Sequence, residues 1–581
     1  VSDKADKAAS PQTPAHRLVR YGEDRGLSLT EKIGHRLRRL QYRSFLHGLR
    51  LRGRFPLKLL AAPPDLWPGD PAVGRALMEG RLEYMGISIT THGMRFSAIR
   101  APAAWLEWLH SFRWLRDLAA EADHKKGAAF VEPLVQRWLS EYTKFDELAW
   151  RADILGERLM QWMTHAPYIL SSEDHVYRSS VLNALARQGR HLAQTAEKTP
   201  EGLARIKATA GLMINGLLLP GGESRAHKGA QALERALDLF ILADGGVASR
   251  CPEEQLEILK LLLTVRSVVT ERQAEEPAGL TRAIDRLVPS LRGMVLGDNH
   301  LSAVHGGGLA DKNVLEHALK LSGVSAKPLK NGIYSGFQRL EGGRSIVVLD
   351  AGPPPPGRVS QTAHAGTLAF EFSDGLNRVV VNCGGGRGTA LALIPDLQQV
   401  LRASAAHSTL IIDDTNSTRI RDDGTLGKGV SEVVAVRQES EEGVVVDAVH
   451  DGYVRRFGFQ HRRRLYLSGD GMDFRGEDRL VPARRRGLSL RGSGNVPFDI
   501  RFHLGLGIEA TATADNQGAL LKLPGGTVWQ FKARGASLSI APSLWIDAQG
   551  RRRKTEQLVL SGEATAEGAV VNWSFKRSAK Q

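Results

Sequence analysis

The chain has 581 residues, 42% hydrophobic and 24% charged, the proportions of a globular protein rather than of a disordered or membrane-embedded one. Two cysteines, Cys251 and Cys383, exclude a disulfide framework and a CxxC metal knuckle, and no apolar run reaches the length of a transmembrane helix. The formal net charge of +15 favours encounter with polyanions such as nucleic acid, anionic polysaccharide or an anionic membrane surface; the alternative is an arginine-rich composition without a special partner.

The N-terminal residues Val1-Ser2-Asp3-Lys4-Ala5-Asp6-Lys7 are charged and lead into no apolar segment, so no secretory signal is expected and the sequence reads as cytoplasmic. Residues 1–28 are taken as a basic, polar tail. The densest basic clusters are Arg36 to Arg54, Arg462-Arg463-Arg464, Arg484-Arg485-Arg486 and Arg551-Arg552-Arg553-Lys554.

From Leu29 to about Leu296 apolar residues recur every three or four positions, as in Leu155, Leu159, Trp162 and Met163. This spacing predicts eight to ten helices, with a short extended or irregular piece between residues 85 and 99. In Trp105-Leu106-Glu107-Trp108-Leu109-His110-Ser111-Phe112-Arg113-Trp114-Leu115-Arg116, Trp105, Trp108 and Trp114 fall partly on one face. They can stack sugar rings, with Arg116 binding a carboxylate or sulfate through two parallel bonds, or they can be helix core. The segment from Asp244-Gly245-Gly246 to Arg250-Cys251-Pro252-Glu253-Glu254 is a helix stop, a turn and a new helix start. There Arg250 either meets an anionic ligand or belongs to an ordinary connector.

From about residue 330 the pattern becomes short alternating runs separated by turn residues. Ser345 to Leu349, Leu368 to Phe372, Arg378 to Asn382 and Thr409 to Ile412 are examples. They predict an antiparallel sandwich or a similar multi-sheet structure. Gly306-Gly307-Gly308 and Gly384-Gly385-Gly386 read as flexible turns, neither being set in a phosphate-binding motif. His461, in Phe459-Gln460-His461-Arg462-Arg463-Arg464, either lines a polyanion groove or shares a solvated strand face. Three polar groups stand at strand ends: His364, Asn382 and His407. They can hold a divalent metal such as zinc. Alternatively a histidine such as His407 acts as a general base or acid, or both rings are buried and satisfied by backbone.

Taken together, the tryptophan-rich segment, the Asp-Gly-Gly loop, and the runs Thr362-Ala363-His364-Ala365-Gly366-Thr367-Leu368-Ala369-Phe370, Asn382-Cys383-Gly384 and Arg402 through His407-Ser408-Thr409 resemble the heparinase II/III-like family of polysaccharide lyases. The resemblance covers most of the chain. It implies a multidomain α and β chain, with an N-terminal incomplete (α/α) toroid over residues 29–300 followed by an antiparallel β-sandwich over 301–581. It also implies β-elimination on an acidic, uronic-acid-containing polysaccharide or oligosaccharide, and work in the periplasm or outside the cell. His364 and His407 match the family's two metal-type histidines, with Asn382 where the family has Asp, so the resemblance implies one structural divalent metal, zinc or calcium, at these three residues. Arg402 matches the arginine that opens the last motif.

The family's catalytic groups carry over unevenly. Thr362 stands where the first histidine of the pair would be, and Pro200 to Arg205 replaces the toroid Asn-His segment. Glu253-Glu254 replaces the toroid tyrosine. Glu253, Glu254 and, by location, Tyr334 are therefore candidate acid–base groups. The alternatives are an altered, hydrolytic mechanism, or a glycan-binding or polysaccharide-assembly protein that performs no chemistry. Nucleic-acid binding on charge alone is a third reading.

Overall fold

The computed structural model describes residues 15–20, 34, 37, 40–53, 56–390, 394–483 and 495–578. The N-terminal residues 1–14 and the Arg484–Arg486 cluster lie outside the described residues. Among those described, no helix is long and apolar enough to cross a membrane.

Eleven helices of eight or more residues occupy the first 321 positions of the described chain: α1 (Pro71–Met78), α2 (Ala103–Ser111), α3 (Trp114–Glu121), α4 (His124–Glu141), α5 (Ala152–Thr164), α6 (His175–Thr195), α7 (Leu203–Leu218), α8 (Glu223–Phe240), α9 (Pro252–Glu271), α10 (Ala278–Gly293) and α11 (Lys312–Leu321). They form the incomplete (α/α) toroid. Between α1 and α2 a short antiparallel pair, Arg81–Tyr84 with Ile87–Thr90, supplies the extended piece expected there. Sequence-local rules set the boundaries. Asp70, Asp123, Asp174 and Asp311 cap α1, α4, α6 and α11 by accepting first-turn N–H groups, and Pro252 opens α9.

The middle of the toroid is closed by glycine contacts. A Cβ on Gly211 of α7 would stand 2.4 Å from the Gly156 Cα of α5, so the two helices meet backbone to backbone. Ile206, Leu212, Ile214, Leu155, Leu159 and Trp162 are buried around that contact. Helical structure extends past residue 300, because α11 lies between the toroid and the sandwich strand that begins at Phe337.

The C-terminal half is two antiparallel sheets. An eight-stranded sheet contains, side by side, Val496–Leu504, Asn377–Val381, Phe370–Asp374, Ser345–Asp350 and Phe337–Gly342. A nine-stranded sheet contains Glu432–Ser440, Gly443–His450, Phe459–Ser468, Asp473–Pro482 and Ala569–Arg577. One of its edge strands is His16–Val19, paired with Glu432–Ala435, so part of the expected polar tail is built into the sandwich. Period-two burial turns Phe370, Phe372, Phe474, Phe502, Trp573 and Phe575 inward, with Phe370 and Trp573 stacked at 5.6 Å.

The eight-stranded sheet also meets the toroid: Val348 belongs to the helical core, and Ile346 and Phe337 pack on it. Glu371 fastens the joint, accepting from Ser302 Oγ and Ala303 N, while Arg378 pairs with both Glu371 and Asp298. The junction segment around Asp298-Asn299-His300 is therefore a staple between the halves.

Candidate active-site cleft at the toroid mouth

The start of α9 is the centre of the site. Glu253 and Glu254 occupy its first turn, where the positive end of the helix dipole favours a carboxylate. For Glu253 burial outweighs that effect and pushes the carboxyl up to about 7, the N–H of Gly308 and the Arg387 guanidinium opposing the rise. The Gly308 N–H donates to Glu253 Oε2 at 2.8 Å. Arg387 reaches Glu254 at 3.6 Å. The two triple-glycine segments pack on each other beside Glu253. A Cβ on Gly385 would lie 2.2 Å from Gly306 O, and one on Gly307 would lie 2.9 Å from the Cys251 sulfur. These segments are tight junctions between the halves rather than flexible turns.

Further charges are paired within and between neighbouring toroid helices. Lys207 on α7 lies 3.2 Å from Glu157 on α5, with Arg113 3.7 Å from the same carboxylate. Lys260 pairs with Glu257 on α9 at 3.1 Å. The surrounding cations hold Glu157 and Glu257 below the usual carboxylate range against their burial. Opposite charges placed together keep Glu157 and Glu257 ionised, which leaves Glu253 as the carboxyl of this group that can exchange a proton near neutrality. Glu253, Glu257 and Lys260 share one helix face at four- and three-residue spacing. That spacing was available in the sequence, but Arg113, Glu157, Lys207 and Arg387 come from distant segments.

Beside the mouth is a histidine cluster in the sandwich. His364 Nδ1 and His407 Nε2 face each other at 3.0 Å. His407 Nδ1 lies 2.8 Å from the Ala403 carbonyl, which fixes its proton there and leaves the Nε2 lone pair directed at His364. Burial holds both rings neutral, His364 well below its ordinary value and His407 down to about 4. Asn382 Oδ1 accepts from the Ser408 N–H at 3.0 Å, and its Nδ2 is buried without a partner. His305 is a member that the sequence reading missed. It is held at a positive φ of 50°, with Nε2 3.0 Å from Asp350. Asp350 is pulled down to about 2 by Arg250 and His305.

Several expected ligand groups are structural. Trp105, Trp108 and Trp114 are 0%, 3% and 0% exposed and fill the helical core, so no ring face is open to a sugar. Arg116 is committed to Asp65 at 2.7 Å. Arg250 is buried, paired with Asp350, and donates to the carbonyls of Ser335, Gly352 and Pro353. It joins the toroid loop to the first sandwich strands. Arg402 donates to the carbonyls of Ala363, Ser360 and Gly424. His461 is buried against Asp478 at 2.7 Å and faces His450. In that strand Arg463 also points inward, donating to Leu368 O and Ser408 O, because its odd-numbered positions form the core face. Tyr334 is 55% exposed; its backbone N–H is bound by Asp244, and among the described residues its hydroxyl touches none of the cleft groups.

Residues 325–574 match the family model described as heparinase II/III-like, C-terminal. FtsZ-localized protein C of Caulobacter vibrioides (strain NA1000 / CB15N) is 32% identical over 561 residues, 94% of this chain and 95% of the relative. Among solved structures, the crystal structure of heparinase III superposes with a TM-score of 0.71 over 96% of this chain and 93% of that one, at 13% identity. Heparan sulfate lyase HepC from Pedobacter heparinus gives 0.62 over 95% and 91%, also at 13% identity. At such identity the superpositions speak for the fold: a helical toroid carrying a sandwich, as in polysaccharide lyases. The chain belongs to the heparinase II/III-like family.

Proposed function

We propose that this chain is a polysaccharide lyase-like enzyme that acts on an acidic, uronic-acid-containing glycan with Glu253 as its proton-transfer group. The observation that carries the reading is the carboxyl of Glu253, raised to about 7 at the mouth between the halves, with Arg387 beside it. A general base works best when its pKa lies near the operating pH. In the ionised form Glu253 takes the C5 proton of the uronate, whose carboxylate Arg387 neutralises. The C5–H electron pair becomes the C4=C5 double bond as the C4–O bond breaks, and the proton passes to the departing oxygen. Glu254, placed where the family carries its tyrosine and tethered to Arg387, orients that guanidinium.

The histidine pair supports the site. His364 Nδ1 and His407 Nε2 are the atoms that would take a divalent ion, with the second lone pair of Asn382 Oδ1. The two ring nitrogens, 3.0 Å apart, are of the type that zinc accepts. Such an ion would act structurally, locking the strand that carries His364 to the His407 segment.

The test is incubation with a panel of uronate polysaccharides and glycosaminoglycans. Elimination generates an unsaturated uronide that absorbs in the ultraviolet, and Glu253→Gln is expected to slow its formation about 10²–10⁴-fold. Absence of product across the panel, with glycan binding retained, overturns the catalytic reading and leaves a glycan-binding protein.

A second reading rests on the 32% identity to FtsZ-localized protein C across nearly the whole chain. On that likeness the protein works in the cytoplasm, associated with FtsZ. Co-sedimentation with polymerised FtsZ tests it; absence of FtsZ-dependent pelleting rejects it.

A further inference from the structure

The basic run Arg551-Arg552-Arg553-Lys554 borders the cleft. It follows the turn between two strands of the eight-stranded sheet, Ser537–Ile546 and Arg552–Ala564. That turn packs on the segment that touches Glu253. A Cβ on Gly550 would stand 2.4 Å from the Thr389 Cβ, and one on Gly388 would stand 3.6 Å from Glu253 Oε1. The Ile546 N–H donates to the Cys383 carbonyl at 3.0 Å, and Arg387 between these contacts reaches Glu254. One stretch of chain, Cys383 to Thr389, therefore touches both the cleft glutamates and the basic turn.

Between Asp547 and Lys554 four cations stand against one carboxylate, an excess of three positive charges. That carboxylate is already shared: Asp547 Oδ2 accepts from Arg551 Nε at 2.8 Å and from Arg553 Nε at 3.0 Å. Arg552 and Lys554 alternate with Arg553 along the strand and project from its opposite face. Both are exposed, and among the described residues neither has a hydrogen-bond or ion-pair partner. Their cross-strand neighbours, Ile546 and Leu544, carry no charge. Glu556, next on the same face, is half-buried and pairs with neither. Like charges this close repel each other, so the pair adds nothing to the fold and its field is open to an external anion.

The composition of the turn narrows the partner. No aromatic residue lies between Asp547 and Lys554 for a nucleic-acid base to stack on, and no large apolar one to enter a lipid surface. A hydrophilic polyanion fits, and the run is continuous with the cleft. We propose that Arg552 and Lys554 form a binding rim for the part of an acidic polysaccharide strand that extends beyond the cleft. Arg552 takes a carboxylate or sulfate through two parallel bonds, and Lys554 takes another as a point charge. The rim rests on the glycan reading of the cleft and adds to it a ligand several sugars long, whose residues at Arg387 and at the rim belong to one strand.

The experiment measures binding of fluorescently labelled heparin, a linear uronate-containing polyanion, to the full chain at about 0.1 M salt, where charges are screened beyond about 10 Å. Arg552→Gln with Lys554→Gln is compared with an equal loss of charge elsewhere, Lys125→Gln on α4 with Lys144→Gln in the loop after it, both exposed. The rim pair is expected to weaken heparin binding about 3- to 30-fold, the product of two surface charge contacts, with an unchanged unfolding midpoint. The α4 pair is expected to stay within about twofold of the parent, and Glu253→Gln to bind as the parent does. An equal change in both pairs, or no change in the rim pair, overturns the rim. So does single-stranded DNA that displaces labelled heparin at a lower concentration than unlabelled heparin does. Lack of unsaturated product from the parent, together with rim-dependent heparin binding, rejects elimination at Glu253 and keeps the rim. Product formation with rim-independent binding keeps the enzyme and rejects the rim.

Discussion

The toroid mouth and the sandwich histidine cluster sit side by side yet have opposite electrostatic designs. At the mouth, burial opposes the ionised form of Glu253 and leaves a carboxyl that titrates near 7. In the sandwich, burial opposes the ionised form of His364 and His407 and leaves two neutral rings joined to each other. The first arrangement keeps a proton available; the second removes protons from play and fixes geometry. One physical cause, desolvation, thus produces an acid–base group in one half and a structural link in the other.

The largest expected effect comes from breaking the joint on which both depend. Arg250→Ala leaves Asp350 buried beside His305 without its guanidinium, which should cost about 3–5 kcal/mol. Chemical denaturation would show it as a lower midpoint; a loss below about 1 kcal/mol would mean that the joint is not held by this pair.

Next is the pH dependence that the two designs impose in opposite directions. The carboxyl of Glu253 is raised from 4.5 to about 7, so its contribution is fully present below pH 4.5 and lost as pH rises through 7. The difference amounts to about 3 kcal/mol. Glu253→Gln should therefore be more stable than the parent at pH 8 and nearly equal to it at pH 4, even while activity falls. His407 is lowered from 6.5 to about 4, so its contribution is present above pH 6.5 and lost as pH falls through 4. Denaturation curves across pH 4–8 for Glu253→Gln and His407→Gln check both signs; parallel curves for parent and Glu253→Gln would remove the buried-carboxyl argument.

How far the sequence reveals this contrast depends on how local each device is. Asp caps, Pro252 and the alternating strands are local, and the toroid followed by a sandwich is legible from them. His364 and His407 were readable because each opens a strand motif, and Glu253 because it begins a helix after a glycine turn. Trp105, Trp108 and Trp114 were ambiguous, since an amphipathic spacing says which face is apolar and not whether solvent or another helix covers it. Arg250, Arg402 and His461 were misplaced for a related reason: a charged residue is taken as exposed until its buried partners, Asp350, the backbone carbonyls or Asp478, are known. His305 and Arg387 carry no local signal at all, because only the packing of Gly306–Gly308 on Gly384–Gly386 brings their segments to the mouth.

A smaller effect is expected at the linked histidines. His407→Ala leaves a neighbouring buried ring nitrogen and the Ala403 carbonyl without this partner, for about 1–3 kcal/mol. His364→Ala should match it within that range. If a divalent ion is held there, elemental analysis of the parent shows close to one equivalent and both variants lose it. Unchanged metal content and stability in both variants would reject a shared site.

The smallest effect tests whether the mouth needs a tyrosine. Tyr334 is fixed through its backbone, since Asp244 accepts its N–H and that of Ser335 at 2.9 and 2.7 Å, and its ring is more than half exposed. Tyr334→Phe removes only a solvated hydroxyl and should change stability by under about 0.5 kcal/mol. If proton transfer belongs to Glu253, product formation in the same variant should stay within about twofold of the parent, well short of the 10²–10⁴-fold expected of a general acid–base group. A loss in that larger range, with the fold intact, would move the acid from the buried carboxyl to the exposed phenol and reverse the contrast between the two regions.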